Sequence, residues 1–121
     1  MSNTLKLPLL AGVKKDRLDG MKGGWFVGSF QPAAYTTKDV EVAVQHFAAG
    51  YSGEPHHHKV ATEVTLLLSG KALMAGECLI AGDILTIEPG VSCSFEALED
   101  CVTVVVKHPG ALNDKYIDET I

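Results

Sequence analysis

The chain has 121 residues, enough for one domain around one buried core. Apolar residues make up 46% and charged residues 21%, the balance of an ordinary soluble globular protein. With a net charge of −5 and no basic cluster beyond Lys14, Lys15 and Arg17, the chain lacks the broad basic face that nucleic-acid binding needs.

Residues 1–20 show no clear period. Leu5, Leu7, Leu9 and Leu10 could cover an apolar edge, for instance on a second copy of the chain. The piece from Leu7 to Val13 is too short for a membrane span, is broken by Pro8 and Gly12, and has no basic lead-in of the kind an export signal carries. Lys14 to Gly20 reads as exposed loop. Trp25 to Phe30, WFVGSF, is the first firm strand after the Gly23-Gly24 breaker. Val40 to Phe47 alternates cleanly and predicts a half-buried strand. Its Val40, Val42, Val44 and His46 share one face, and Glu41, Ala43, Gln45 and Phe47 the other.

After a Gly- and Pro-punctuated turn over 48–55 comes a histidine strand, then the apolar, β-branched run Ala61 to Leu68. Lys71 to Met74 and Cys78 to Ile80 form a hairpin. Further strands follow over Ile84 to Glu88 and Val91 to Phe95, separated by the Pro89-Gly90 turn. Glu96 to Asp100 is a polar loop. Cys101 to Lys107, CVTVVVK, is β-branched on both faces and is expected to be buried on both. Ala111 to Ile121 reads as a polar tail. Short strands with turn signals about every eight to twelve residues, and no amphipathic helix, predict an all-β sandwich or barrel. Three cysteines, an odd number, with no export signal point to free thiols in a reducing cytoplasm. Cys78 and Cys101 are read as small apolar strand residues.

The stretch that organises the rest is Gly50 to Gly70, GYSGEPHHHKVATEVTLLLSG. Side chains alternate along a strand, so His56 and His58 share a face and His57 points the other way. Two imidazoles on one face, followed closely by Glu63, make a facial ligand set for a divalent metal.

Gly50, five residues, His56, one residue, His58, four residues, Glu63, six residues and Gly70 reproduce the first motif of the cupin superfamily without a mismatch. Gly82, Asp83, Pro89 and Gly90 match the second, in which Cys93 stands where the family usually has its last histidine ligand. The chain therefore resembles a small single-domain cupin over about residues 40 to 108, preceded by an N-terminal strand or arm over 1–39. That resemblance implies a double-stranded β-helix, a jelly-roll barrel with its site inside.

Carried over by position, the resemblance implies a metal site of His56, His58 and Glu63, with Cys93 at the fourth position as a thiolate ligand or as a lost one. The donors suit Fe, Zn, Mn, Ni or Cu. His57 is read as structural or exposed, and Asp83 as a turn residue. If Val42 and Val44 face inward, His46 does too and lies at the pocket mouth. His46 and Tyr51 are the candidate substrate contacts, with Tyr35 and Trp25 as further candidates for lining. Two functions remain open: a metal-dependent enzyme of isomerase, epimerase or dioxygenase type on a small polar metabolite, or a non-catalytic sugar- or metabolite-binding barrel without metal. The expected partners are a small molecule and a second copy of the chain, with no nucleic acid and no membrane.

Overall fold

Alternation is the rule that builds this molecule. In the run Thr62–Ser69, Glu63, Thr65 and Leu67 are buried while Thr62, Val64 and Leu66 are only half covered. In Cys101–His108, Cys101, Thr103, Val105 and Lys107 are buried and the residues between them less so. The computed structural model describes residues 8–110 and 113–118.

Ten short strands result: β1 (Trp25–Val27), β2 (Glu41–Phe47), β3 (His56–His58), β4 (Thr62–Ser69), β5 (Lys71–Met74), β6 (Glu77–Ile80), β7 (Ile84–Ile87), β8 (Phe95–Ala97), β9 (Cys101–His108) and β10 (Lys115–Ile117). A five-stranded sheet runs β1-β2-β9-β4-β7 and a three-stranded sheet runs β6-β5-β8. β10 and β3 form a two-stranded ribbon. Every strand pair is antiparallel. No helix among the described residues is long and apolar enough to cross a membrane.

The core sits at one end of the inner space. Leu67, Ala72, Met74, Leu79, Ile87, Ala97 and Cys101 pack there, with Phe47, Leu85, Cys93 and Phe95 partly buried against them. The inward residues grow more polar toward the other end. Along β4 they run Leu67, Thr65, Glu63, and along β9 Cys101, Thr103, Val105, Lys107. Register places Glu63 opposite Lys107, and Lys107 opposite Glu41, in one row across three strands. Lys107 Nζ lies 3.2 Å from Glu41 Oε1, with both side chains buried. The two opposite charges compensate each other where a lone buried charge would be costly.

Gly70 is held for two reasons. Its φ is +93°, in the left-handed region, and an added Cβ would come within 2.3 Å of the Asp100 carbonyl oxygen.

Several sequence expectations are corrected. The strand expected over 91–95 is instead Phe95–Ala97, because Phe95, Glu96 and Ala97 pair with Met74, Leu73 and Ala72 of β5. β9 is fully buried on its odd-numbered face only, and Val102, Val104 and Val106 on the other keep partial exposure. The expected loop over 14–20 ends in a 3-10 turn, Leu18–Gly20, and a second, Lys22–Gly24, follows it. Part of the expected polar tail is strand β10. Leu5 and Leu7, the start of the expected apolar edge, lie outside the described residues, and Leu9 and Leu10 are exposed.

Candidate metal centre

β3 has no ladder with either larger sheet among the described residues. Its three residues pair with β10, His56 opposite Ile117, His57 opposite Tyr116 and His58 opposite Lys115. On its other side His56 and Cys93 exchange both backbone hydrogen bonds, each 3.0 Å. The Gly90 N–H donates to the His58 carbonyl at 2.6 Å, so the Pro-Gly turn docks directly on the strand.

The alternation expected for HHH is what the chain adopts. His56 and His58 face the barrel interior, their rings edge-on with centroids 5.4 Å apart. His57 faces the other way, stacked on Tyr116 and hydrogen-bonded through Nδ1 to Asp118 at 2.8 Å. One ligand atom each from His56, His58 and Glu63 lies within 4.8 Å of the other two. His58 Nε2 and Glu63 Oε1 are 3.1 Å apart. Donors set at right angles about 2.1 Å from one ion lie about 3 Å apart, so that spacing suits two neighbouring ligands.

Each ligand is oriented by a partner of its own. His56 Nδ1 donates to the Glu54 carbonyl at 3.2 Å, which leaves the Nε2 lone pair for the interior. His58 Nδ1 donates to the Asp114 carbonyl at 2.9 Å. Both His58 nitrogens thus face oxygen acceptors. The Thr65 hydroxyl donates to Glu63 Oε2 at 2.8 Å and fixes the plane of the carboxylate.

The electrostatics favour the ligand forms. Burial lowers the pKa of His56, and the charges of Lys115 and His58 lower it further, against the opposing pull of the Glu54 carbonyl and Glu63, so the ring is held neutral. Burial alone would raise Glu63. Hydrogen bonds from His58 and Thr65 outweigh it and hold the carboxyl below its ordinary range, ionised at neutral pH.

These side chains open on a cavity of about 240 Å³. At the polar end it is lined by the ligand set with Trp25, Lys107 and Lys115, and at the apolar end by Phe47, Tyr51, Met74 and Phe95. The volume lies below the roughly 300 to 1,000 Å³ of sites for drug-sized molecules and suits a small metabolite.

The fold has known counterparts. A solved structure of an uncharacterized conserved protein with a double-stranded beta-helix domain, from Klebsiella pneumoniae, superposes with a TM-score of 0.61 at 28% identity, over 69% of this chain and 78% of its own. The chain has the cupin fold. KdgF from Halomonas sp. matches this cupin with a TM-score of 0.55 at 24% identity, over 60% of the chain and 72% of its own. Oxalate decarboxylase from Bacillus subtilis matches with a TM-score of 0.60 at 21% identity, over 66% of the chain and 24% of its own. At those identities the last two likenesses are of fold. No protein-family model and no curated protein matches the chain.

The sequence-predicted site residues divide. His56, His58 and Glu63 converge, and Tyr51 lines the same cavity beside Phe47, ring centroids 4.7 Å apart. His46 does not join them. The interior face of β2 is the one with Glu41, Ala43, Gln45 and Phe47, so His46 points outward and is exposed. It belongs instead to an outer groove with Arg17, Leu18 and Met21. Tyr35 is exposed and lies away from the cavity, whereas Trp25 lines it.

Cys93 stands apart from the three donors, as the lost-ligand alternative has it. It pairs with His56 through the backbone, but its sulfur lies outside the converging ligand set and packs against the apolar cluster. Burial pushes the thiol pKa up, and the nearby Glu63 and Asp118 carboxylates push it further. This cupin keeps three of the family's four ligand positions as converging donors.

Asp114 is the residue that sequence reasoning missed. It is buried, and its carboxylate accepts the backbone N–H groups of Lys59, Val60 and Ala61 at 2.9 to 3.1 Å. Burial would raise its pKa, but these hydrogen bonds outweigh that and hold the carboxyl ionised. Asp114 thereby ties the turn after β3 to the segment whose carbonyl orients His58. Asp118 adds a clasp on both His57 and Ser92. The only trace of this in the sequence is the polar string NDKY at 113–116.

Proposed function

We propose that the cupin barrel holds one divalent transition metal on His56, His58 and Glu63, and that the protein is an enzyme acting on a small polar metabolite at that ion. The observation that carries the reading is the convergence of the three donor atoms inside a cavity that has room for a ligand beside them. The donor set of two imidazoles and one carboxylate fits Fe, Mn, Zn, Ni or Cu and leaves coordination positions open. When bound, the ion supplies Lewis-acid or redox chemistry.

The chain's own residues do the rest. Glu54 and Asp114 present the imidazoles through backbone carbonyls, Thr65 orients Glu63, and Phe47, Phe95 and Met74 exclude water from the far end of the cavity. The structural neighbours support the reading. They include the oxalate decarboxylase of Bacillus subtilis, which has Mn(II) centres, and DMSP lyases.

The test is elemental analysis of protein purified without chelators, repeated after stripping and reloading with each candidate ion. One ion per chain is expected, lost together with any turnover on stripping. Less than about a tenth of an ion per chain under every loading condition refutes the proposal.

A further inference from the structure

The five-stranded sheet has a second face, turned away from the cavity. On it Val42, Val106, Val64 and Thr86 stand side by side across β2, β9, β4 and β7. Val44, Val104, Leu66 and Ile84 form the next row. All but Thr86 are aliphatic. Polar residues border them, Thr62 and His108 at one end and His46 and Ser69 at the other. None of these positions carries Asp, Glu, Lys or Arg, in a chain where those residues make up 21%. The three-stranded sheet is different, for its outward side mixes Lys71, Leu73 and Glu96. An antiparallel sheet with one face in water alternates apolar-in with polar-out, so an uncharged aliphatic outer face calls for a covering. The described residues leave it open. Val104 on the central strand β9 keeps partial exposure where its neighbour Val105, on the inner face, keeps 7%, and Ile84 at the edge is 60% exposed.

The dimensions suit a second copy of the chain. Four strands at about 4.8 Å and the seven residues from Val102 to His108 at about 3.4 Å give a face of roughly 19 by 24 Å, about 450 Å² in plan before side-chain relief is counted. A standard interface takes about 800 Å² of accessible surface from each partner, and this face is of that order. An aliphatic centre with a polar rim is also the usual anatomy of such a contact. Charge points the same way. Copies of a chain with net charge −5 repel one another least across an uncharged face. A charged partner would find no counter-charge on it, and a lipid surface would find neither the basic residues nor the Trp and Tyr that hold a protein at a membrane. Residues 1–7 of the same chain measure about 24 Å at full extension, one strip of a face four strands wide.

We propose that the chain forms a two-fold dimer through this face, the two sheets stacked about 10 Å apart with Val104 and Leu66 at the centre. The strands at that centre, β4 and β9, carry Glu63 and Lys107 on their inner side, so the contact backs the wall of the cavity.

The test is sedimentation equilibrium on the full chain from micromolar concentration upward. Wild type should have twice the mass of one chain. Leu66→Lys and Val104→Lys should each weaken association at least a hundredfold, the effect of a charge at the centre of an interface. Leu73→Lys, on the outer side of the other sheet, should leave the dimer unchanged. Circular dichroism checks that each variant folds. Val104→Thr keeps the shape of valine and adds only a hydroxyl, so it remains informative where a lysine variant fails to fold, and it should weaken association about tenfold. Leu5→Ser with Leu7→Ser should leave the dimer intact. A wild-type chain that stays monomeric up to millimolar concentration overturns the proposal. So does one that dimerises only when Leu5 and Leu7 are replaced, because its own segment then covers the face. A dimer that Val104→Thr and the folded lysine variants leave intact, or that Leu73→Lys dissociates instead, is built on another surface and overturns the proposal as well.

Discussion

Replacing Asp114 with Ala tests the least expected part of the site. The change removes the acceptor for three backbone donors, Lys59, Val60 and Ala61. A hydrogen bond to a charged group nets about 1.5 to 3 kcal/mol when the donor is left buried and unpaired. The Ala61 donor is buried and loses that amount, whereas Lys59 and Val60 lie in an exposed turn where water can replace the carboxylate. Counting about 2 kcal/mol for Ala61 and about 0.5 for each of the others gives a loss of about 3 kcal/mol. For a chain of this size that lowers the melting temperature by roughly 10 to 20 °C. Asp114→Asn keeps one acceptor oxygen and should lose about half as much. Because the same residue's carbonyl orients His58, metal affinity should fall as well, by about ten- to a hundredfold, the usual cost of losing support behind a ligand. The assays are urea denaturation of metal-free protein and a competitive metal titration. A loss below about 0.5 kcal/mol with unchanged metal affinity would show that the segment around Asp114 does not hold the site.

His56→Ala and His58→Ala should each take metal stoichiometry well below one per chain while His57→Ala leaves it near wild type; equal losses at all three would refute the alternation argument. Stability of the metal-free protein should peak between about pH 6.5 and 8.5 in urea titrations. On the acid side His56, Glu63 and Asp114 all have folded pKa values below their ordinary ones, so the unfolded chain takes up protons first and stability falls as pH drops below about 6.5 and again below about 4.5. On the alkaline side Cys93 is raised, so the unfolded chain loses the proton first and stability falls above about 8.5. A flat profile from pH 4 to 10 would contradict the electrostatics described. Cys93→Ser should leave metal affinity within about threefold, and cobalt-loaded wild-type protein should show no thiolate charge-transfer absorption; such a band would place the sulfur on the ion.

The stretch Gly50 to Gly70 was legible because its chemistry depends on local geometry. Strand alternation alone puts His56 and His58 together, and the spacing to Glu63 spans one turn onto the next strand. Alternation also split β2 into two faces, but it could not say which face is inside. The apolar face of Val42 and Val44 is the natural choice for a core. In a barrel whose polar end holds charges, the inward face is the one with Glu41 and Gln45, and His46 is turned out. The same effect hid Lys107 and Thr103 in CVTVVVK, which reads as plain buried strand. β10 was illegible for a different reason. A three-residue strand has too few positions to show a period, and its partners, β3 and the turn after it, lie more than fifty residues away in the chain.

The isolation of β3 from the larger sheets has a consequence for how the molecule fluctuates. The ribbon of β3 and β10 can open without breaking any ladder of the five- or three-stranded sheets, so it forms a cooperative unit of its own. Its amides are expected to exchange with solvent ahead of those of β4 and β9. Glu63 remains anchored on β4 when the ribbon lifts, while both histidines leave with it. An ion held by all three therefore staples the ribbon to the barrel and slows that opening in proportion to its affinity. Sequence changes within 113–118 can retune metal retention while the barrel core stays as it is.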